Sequence, residues 1–216
     1  MSDPDTSKYY RARAREYEQI YYREVPERRK EIDDEVTWLI ELVKGKSVLD
    51  LACGTGYWTK FASETARDIT AIDQAPEMIA EARKKEYRSP VTFVEGDMFS
   101  YRFDRRFDVI IVGFWFSHQP RQEYERFFNL LSDLVERGGM VWMIDNNPPA
   151  EGSQQNSVGT DEYGNNFKKR YLDDGTEFVI LKNYFSEKQL REIISPYADI
   201  LRLTYGIYYW SVVTGH

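Results

Sequence analysis

The sequence predicts an α/β fold built on a largely parallel sheet, and three observations carry that prediction. Its 216 residues, 42% of them apolar and 15% aromatic, suffice for one well-buried domain and fall short of two ordinary ones. Short apolar runs alternate with segments of helical periodicity along most of the chain. The first run passes directly into a glycine-rich turn, as a buried parallel strand does where it delivers a helix N-terminus.

Taken in order, Ile32, Val36, Leu39, Ile40 and Val43 repeat at the spacing of one helical stripe over residues 27–43, and Gly45 ends that helix. Residues 47–52 read as the first strand, followed by a helix to about residue 61. Further strands are predicted at 69–73, 91–95 and 107–113, with a helix at 76–87 whose Pro76 suits a first helical position. Tyr124, Phe127, Leu131 and Leu134 mark one face of a helix running to Gly138 and Gly139. Residues 140–144 then read as a fully buried strand.

From Asn146 to Asn166 the composition turns to Asn, Gly, Ser, Pro and Gln without apolar periodicity, which predicts a long loop. Asp174-Gly175, between 167–172 and 177–181, is a hairpin signal. Ser186 and Gln189 are spaced as a capping box, with Phe185 and Leu190 placed for a hydrophobic staple, so a helix begins there. The last strands fall near 200–203 and 207–213, and there is no internal repeat.

Composition excludes several function classes. A net charge of −7 disfavours binding to nucleic acid or to an anionic membrane surface. The arginines between Arg11 and Lys30 are interleaved with Glu16, Glu18, Glu24 and Glu27 at helical spacing, a pattern of ion pairing along a helix. One cysteine, Cys53, and two histidines cannot supply the common zinc ligand sets, so no metal is expected. No apolar stretch has the length a bilayer span requires, and residues 1–5 are polar and acidic. A cytoplasmic protein is the expectation.

The segment Val48-Leu49-Asp50-Leu51-Ala52-Cys53-Gly54-Thr55-Gly56 carries the chemistry, because glycines after a buried strand let a ligand approach the backbone at a helix N-terminus. A dinucleotide could use the same device, but its loop wants a third glycine where Thr59 stands. The segment resembles the first motif of class I S-adenosylmethionine-dependent methyltransferases. The resemblance continues, in order, through Ile69 to Asp73, Glu95-Gly96-Asp97-Met98, Phe107 to Val112, and Arg137-Gly138-Gly139, and so covers roughly residues 47–145.

The resemblance implies a Rossmann-like, doubly wound, mostly parallel seven-stranded sheet with helices on both faces, an N-terminal helical lid and a small hairpin insertion. On that basis the chain divides into a lid (1–44), a cofactor-binding core (45–145), a loop and hairpin over the substrate site (146–185), and a last helix and strands (186–216), all within one methyltransferase domain. It further implies S-adenosylmethionine as cofactor, with Gly54 and Gly56 against its methionine part and Ala52 walling the same turn. Asp73 and the neighbouring Gln74 would face the ribose, and Asp97 and Met98 the adenine. Asp50 is expected to order the glycine loop by accepting backbone N–H groups.

Phe114-Trp115-Phe116-Ser117-His118 follows the fourth predicted strand, where ligands of parallel sheets sit. Phe114 is expected against the sulfonium, Trp115 and Asp145 at the acceptor, and His118 as the first candidate for a general base. The N-terminal segment carries Tyr9, Tyr10, Tyr17, Tyr21 and Tyr22 among arginines. By resemblance to small-molecule members it folds over the cofactor, with Tyr22 on the cofactor side and Tyr10 toward the substrate.

The expected function is methyl transfer to a small-molecule acceptor, an amine nitrogen favoured slightly over a hydroxyl oxygen. No nucleic-acid or membrane partner is expected, and the assembly expected is a monomer or homodimer. A catalytically silent cofactor-binding protein and a nicotinamide-linked oxidoreductase are the alternatives.

Overall fold

The structure, a computed structural model, describes residues 4–14, 17, 25–149 and 156–216. Two helices lead, α1 (Pro4–Arg13) and α2 (Pro26–Leu42). The alternating core follows: β1 (Ser47–Leu51), α3 (Tyr57–Ala62), β2 (Asp68–Asp73), α4 (Pro76–Ala82), β3 (Val91–Glu95), β4 (Phe107–Gly113), α5 (Tyr124–Leu134) and β5 (Val135–Asn146). Three short strands come next, β6 (Ser157–Thr160), β7 (Asn166–Tyr171) and β8 (Glu177–Leu181). The chain closes with α6 (Glu187–Ile194), β9 (Asp199–Tyr205) and β10 (Tyr209–Gly215). No described helix is long and apolar enough to cross a membrane.

Seven strands form one sheet in the order β3-β2-β1-β4-β5-β10-β9, parallel except for β10, which runs antiparallel to both neighbours. This is the mostly parallel, doubly wound sheet that the alternation of runs predicts. Its order reverses between β1 and β4, and the crevice outside the carboxyl ends of those strands is where such sheets take ligands. Strand residues alternate between two cores. Leu49, Leu51, Ile110 and Val112 pack with Phe127, Leu131 and Leu190 on one face. Val48, Val109 and Ile111 pack with Leu39, Trp58 and Ile79 on the other.

Several boundaries differ from expectation for identifiable reasons. The helix predicted to reach residue 87 stops at Ala82. Lys84 and Lys85 close tighter turns onto Glu81 and Ala82, and the Tyr87 hydroxyl donates back to the Ala82 carbonyl at 2.8 Å. The helix predicted to run to Gly138 stops at Leu134, because Val135 is already extended and pairs with Phe107 across a register shift. The predicted loop 146–166 contains β6, which pairs with β7, so the expected hairpin is a three-stranded sheet. The capping box at Ser186 and Gln189 is formed, and Phe185 and Leu190 beside it are both buried.

Helix α2 is tied down by two carboxylates. Glu35 accepts from Arg202 at 2.7 Å and from the Trp142 indole at 3.3 Å, while Glu31 accepts from the backbone N–H groups of Ile207, Tyr208 and Tyr209.

At the sheet's ligand edge, Gly113 lies under the Trp58 indole so closely that an added Cβ would fall 2.2 Å from Cδ1 of Trp58. Gly113→Ala is therefore expected to lower stability by about 1–3 kcal/mol through overpacking. The shift in urea midpoint measures it, and an unchanged midpoint would show that the indole moves freely.

Candidate active site

Two adjoining cavities open at the carboxyl ends of the central strands. The first, of about 230 Å³, is floored by the turns after β1, β2 and β4 and roofed by Thr6, Ser7 and Tyr10 of α1. Two of its lining residues, Ala52 and Phe114, hold left-handed backbone with φ of 55° and 56°. Non-glycine residues adopt this conformation only where the surroundings impose it. Here the residues are fixed by parallel-strand neighbours, since Cys53 N–H donates to the Ile72 carbonyl and Phe114 N–H to that of Ile144.

Gly54, also left-handed at φ 55°, has open space where a Cβ would project, so a ligand can reach its backbone. Its N–H donates to Asp73 Oδ2 at 2.9 Å, and Ala75 N–H donates to Oδ1 at 2.8 Å. Burial raises the Asp73 pKa against those two donors. One lone pair on each oxygen is left for a ligand. Across the cavity Asp97 is exposed, its Oδ1 accepting from Phe99 N–H at 3.0 Å. Met98, Phe99 and Trp115 complete an apolar wall there.

The second cavity, of about 660 Å³, is walled by α1, the turn after β5, and strands β7 and β8. Tyr10, Tyr17, Phe114 and His118 face both cavities. Behind this shared wall lies a buried network. Lys182 Nζ donates to Asp145 Oδ1 at 2.9 Å and to Ser117 Oγ at 2.6 Å, and Ser117 N–H donates to Asp145 Oδ2 at 2.9 Å. Burial is the largest influence and would raise the Asp145 carboxyl, but Lys182, His118 and the Ser117 and Asn146 N–H donors together outweigh it and hold the pKa below the usual carboxylate range.

His118 Nδ1 lies 2.6 Å from the Leu181 carbonyl, an acceptor only, so Nδ1 carries the proton. Nε2 is then the acceptor and takes the Tyr10 hydroxyl at 2.7 Å. Burial, reinforced by the Lys182 charge, pushes the imidazole pKa down to about 3.

Ala52, Gly54, Asp73, Gln74, Asp97, Met98 and Phe114 are all brought to the first cavity, as expected of cofactor-side residues. Gln74 also accepts from Arg11 through its carbonyl at 3.3 Å. Tyr22 lies outside the described residues. Asp50 and Gly56 line neither cavity, which corrects the expectation for Gly56 and agrees with the loop-ordering role expected of Asp50. Asp50 is buried beneath the loop, where it accepts from the Thr59 hydroxyl at 2.5 Å and burial pushes its pKa up to about 7. Gly56 packs against α4, and a Cβ there would sit 2.6 Å from the Tyr87 hydroxyl.

On the acceptor side, Trp115 faces the first cavity, stacked beside Phe127 at 5.1 Å between ring centres, and does not line the second. Asp145 is fully buried in its pair with Lys182 and lines neither. His118 is placed at the site, but its neutral, weakly basic state makes it a poor general base; it orients Tyr10 instead. Lys182 and Arg170 were not foreseen; the Lys182 partner Asp145 lies 37 positions away.

A family profile described as a methyltransferase domain matches residues 48–139. Demethylmenaquinone methyltransferase of Bacillus licheniformis is 28% identical over 121 residues, covering 54% of this chain and 51% of the relative. Cypemycin N-terminal methyltransferase of a Streptomyces species is 30% identical over 109 residues, covering 50% of this chain and 44% of the relative. The chain thus spans about half the length of the curated relatives it matches. A solved DhpI-SAM-HEP complex superimposes with a TM-score of 0.76 at 28% identity, covering 98% of this chain and 96% of that one. In this fold and motif order the chain is similar to class I S-adenosylmethionine-dependent methyltransferases, the family profile matching residues 48–139.

The depressed imidazole pKa has a consequence for stability. Unfolded, His118 takes up its proton near 6.5; folded, only near 3. Between those values the unfolded chain binds more protons, so the contribution is complete above pH 6.5 and is lost as pH falls. One such group changes stability by up to about 1.4 kcal/mol per pH unit. His118→Gln should flatten the acid limb of urea midpoint against pH; a variant with the wild-type slope would disprove the buried neutral state.

Proposed function

We propose that the protein is an S-adenosylmethionine-dependent methyltransferase acting on a small-molecule acceptor held in the second cavity. The observation that carries this reading is the first cavity, at the switch point of the sheet, which gathers Gly54, Asp73 and Asp97 around one apolar recess. The residues fit the cofactor. Gly54 offers unobstructed backbone to its methionine part, the free lone pairs of Asp73 suit paired ribose hydroxyls, and Asp97 with the Met98 backbone suits an adenine edge. When bound, S-adenosylmethionine supplies a methyl group on a sulfonium.

The chain's own residues position and desolvate. Phe114 and Tyr10 present aromatic surface where the cavities meet, a surface that suits a cation. The α1 roof is held by Leu181 N–H to Thr6 Oγ1 at 3.1 Å and by the Tyr10–His118 bond, and it excludes water from that junction. In this reading residues 1–44 act as the lid, and β6, β7 and β8 cover the acceptor. The sequence favours an amine slightly, but Asp145, the carboxylate expected at the acceptor, lines neither cavity and is neutralised by Lys182, and among the described residues no carboxylate lines the second cavity.

A nicotinamide cofactor fits less well, because Thr59, in place of a third glycine, is engaged by Asp50. The test is a thermal-shift titration with S-adenosylmethionine, S-adenosylhomocysteine and NAD. The first two should stabilise the chain, by about 2.7 kcal/mol at a hundredfold excess over Kd, and Asp73→Ala should abolish the shift. Stabilisation by NAD alone, or by none of the three, would reject the reading.

A further inference from the structure

We propose that the second cavity binds its acceptor as an oxyanion, a carboxylate or a phosphoryl-type acid, between Arg28 and Arg170, and that the methyl group is transferred to that oxygen. The inference rests on the methyltransferase reading and specifies its acceptor. It starts from charge. On a chain whose net charge is −7, this cavity is lined by Arg13, Arg28, Lys169, Arg170 and Lys182 and, among the described residues, by no carboxylate.

Two of these cations are already balanced, Lys169 by Glu177 at 2.8 Å and Lys182 by Asp145 at 2.9 Å. The arginines are not. Arg13 donates to the Tyr9 hydroxyl, Arg28 to that of Tyr209 and Arg170 to that of Tyr184, and none of the three has a carboxylate partner among the described residues. Behind Arg170 on β7, Lys168 is only 7% exposed and lies 4.7 Å over the Tyr184 ring, which itself lines the cavity. Lys168 too lacks a carboxylate partner among the described residues. Clustered cations with low exposure repel one another unless an anion sits among them. Guanidinium groups are the side chains best shaped to take a carboxylate or phosphoryl group through paired hydrogen bonds.

The same acceptor accounts for the absence of a competent base at the junction. An oxyanion attacks with a lone pair it already has: the new O–C bond forms, the old C–S bond breaks with its electron pair left on sulfur, and no proton moves. The acceptor gives up one negative charge and the sulfonium its positive charge, leaving a methyl ester (neutral from a carboxylate, singly charged from a phosphoryl dianion) and a neutral thioether. His118, neutral and engaged with Tyr10, is then not required to remove a proton. A neutral hydroxyl acceptor would need that removal, and a protonated amine would need it as well as meeting the arginines.

The full chain is first saturated with S-adenosylhomocysteine, verified by its thermal shift, so that loss of cofactor binding is seen separately from failure of this inference. Phenylphosphonate, benzoate, benzylamine and inorganic phosphate are then titrated calorimetrically. At least one anion should bind and benzylamine should not; the phosphonate and benzoate arms tell the two acid classes apart. Arg170→Gln and Arg28→Gln should each weaken the bound anion tenfold or more while leaving the S-adenosylhomocysteine shift intact. Preference for benzylamine, binding of none of the anions to the loaded chain, or anion affinity unchanged in both variants would overturn the proposal.

Discussion

The arrangement of the site depends on one buried ion pair, Lys182 with Asp145, whose side chains are 6% and 0% exposed. Asp145 stands near the end of β5 in the large sheet, Lys182 just beyond β8 in the small one, and both grip Ser117. Asn183 N–H adds a bond to the Ser117 carbonyl at 2.7 Å. Three segments distant in sequence are thereby locked together, and His118, next to Ser117, is aimed at Leu181 by the same lock. From His118 the order passes to Tyr10, and so to α1. Breaking such a pair by removing one partner leaves a charge in a dry interior, a cost of about 3–5 kcal/mol. The pair's role is therefore to specify geometry: it fixes how two sheets with no shared strand form a common wall.

That wall divides two electrostatic environments. On one side the lining offers Asp73, Asp97 and aromatic or apolar surface, suited to a cation with hydroxyls and an amino group. On the other it offers arginines, lysines and tyrosine hydroxyls. The Lys182–Asp145 pair is close to neutral as a unit and does not tilt the balance, so the arginines, which have no carboxylate partner among the described residues, set the field of the second cavity. Opposite fields on the two sides would draw two ligands of opposite charge toward the same aromatic partition, an alignment that substitutes for much acid–base work.

How much of this was legible in the sequence follows from the range of the interactions. The cofactor-side cavity is built from residues that sit at a strand end or one to three positions beyond it, so strand prediction together with the family resemblance in motif order reached Ala52, Gly54, Asp73, Asp97 and Phe114. Even there, Gly56 was assigned to the ligand although it shapes the loop from behind, because spacing cannot tell which way a glycine hydrogen points. The acceptor side was not legible. Asp145 finds Lys182 across 37 positions and His118 finds Tyr10 across 108, and no local pattern encodes such pairs. The alternation of Lys168 and Arg170 on β7 was the one local trace of the cationic wall, and in a short polar strand it reads as solvent-facing charge.

The floor and the roof of the junction are held by different physics. Ala52 and Phe114 keep unfavourable backbone because hydrogen bonds between strands and close ring packing of Phe114 with Tyr209, at 5.4 Å between centres, leave them no alternative. The floor is therefore rigid, and its geometry is set before any ligand arrives. The roof is a ten-residue helix joined to the body chiefly by the Thr6, Tyr10 and Arg11 hydrogen bonds and by Tyr9 against Phe178. Each of those polar bonds contributes on the order of 1 kcal/mol, and Tyr9, only 2% exposed, adds apolar burial. Under the proposed function, α1, shared by both cavities and lying outside the sheet, serves as the lid past which ligands enter and leave while the strand-held floor keeps its geometry.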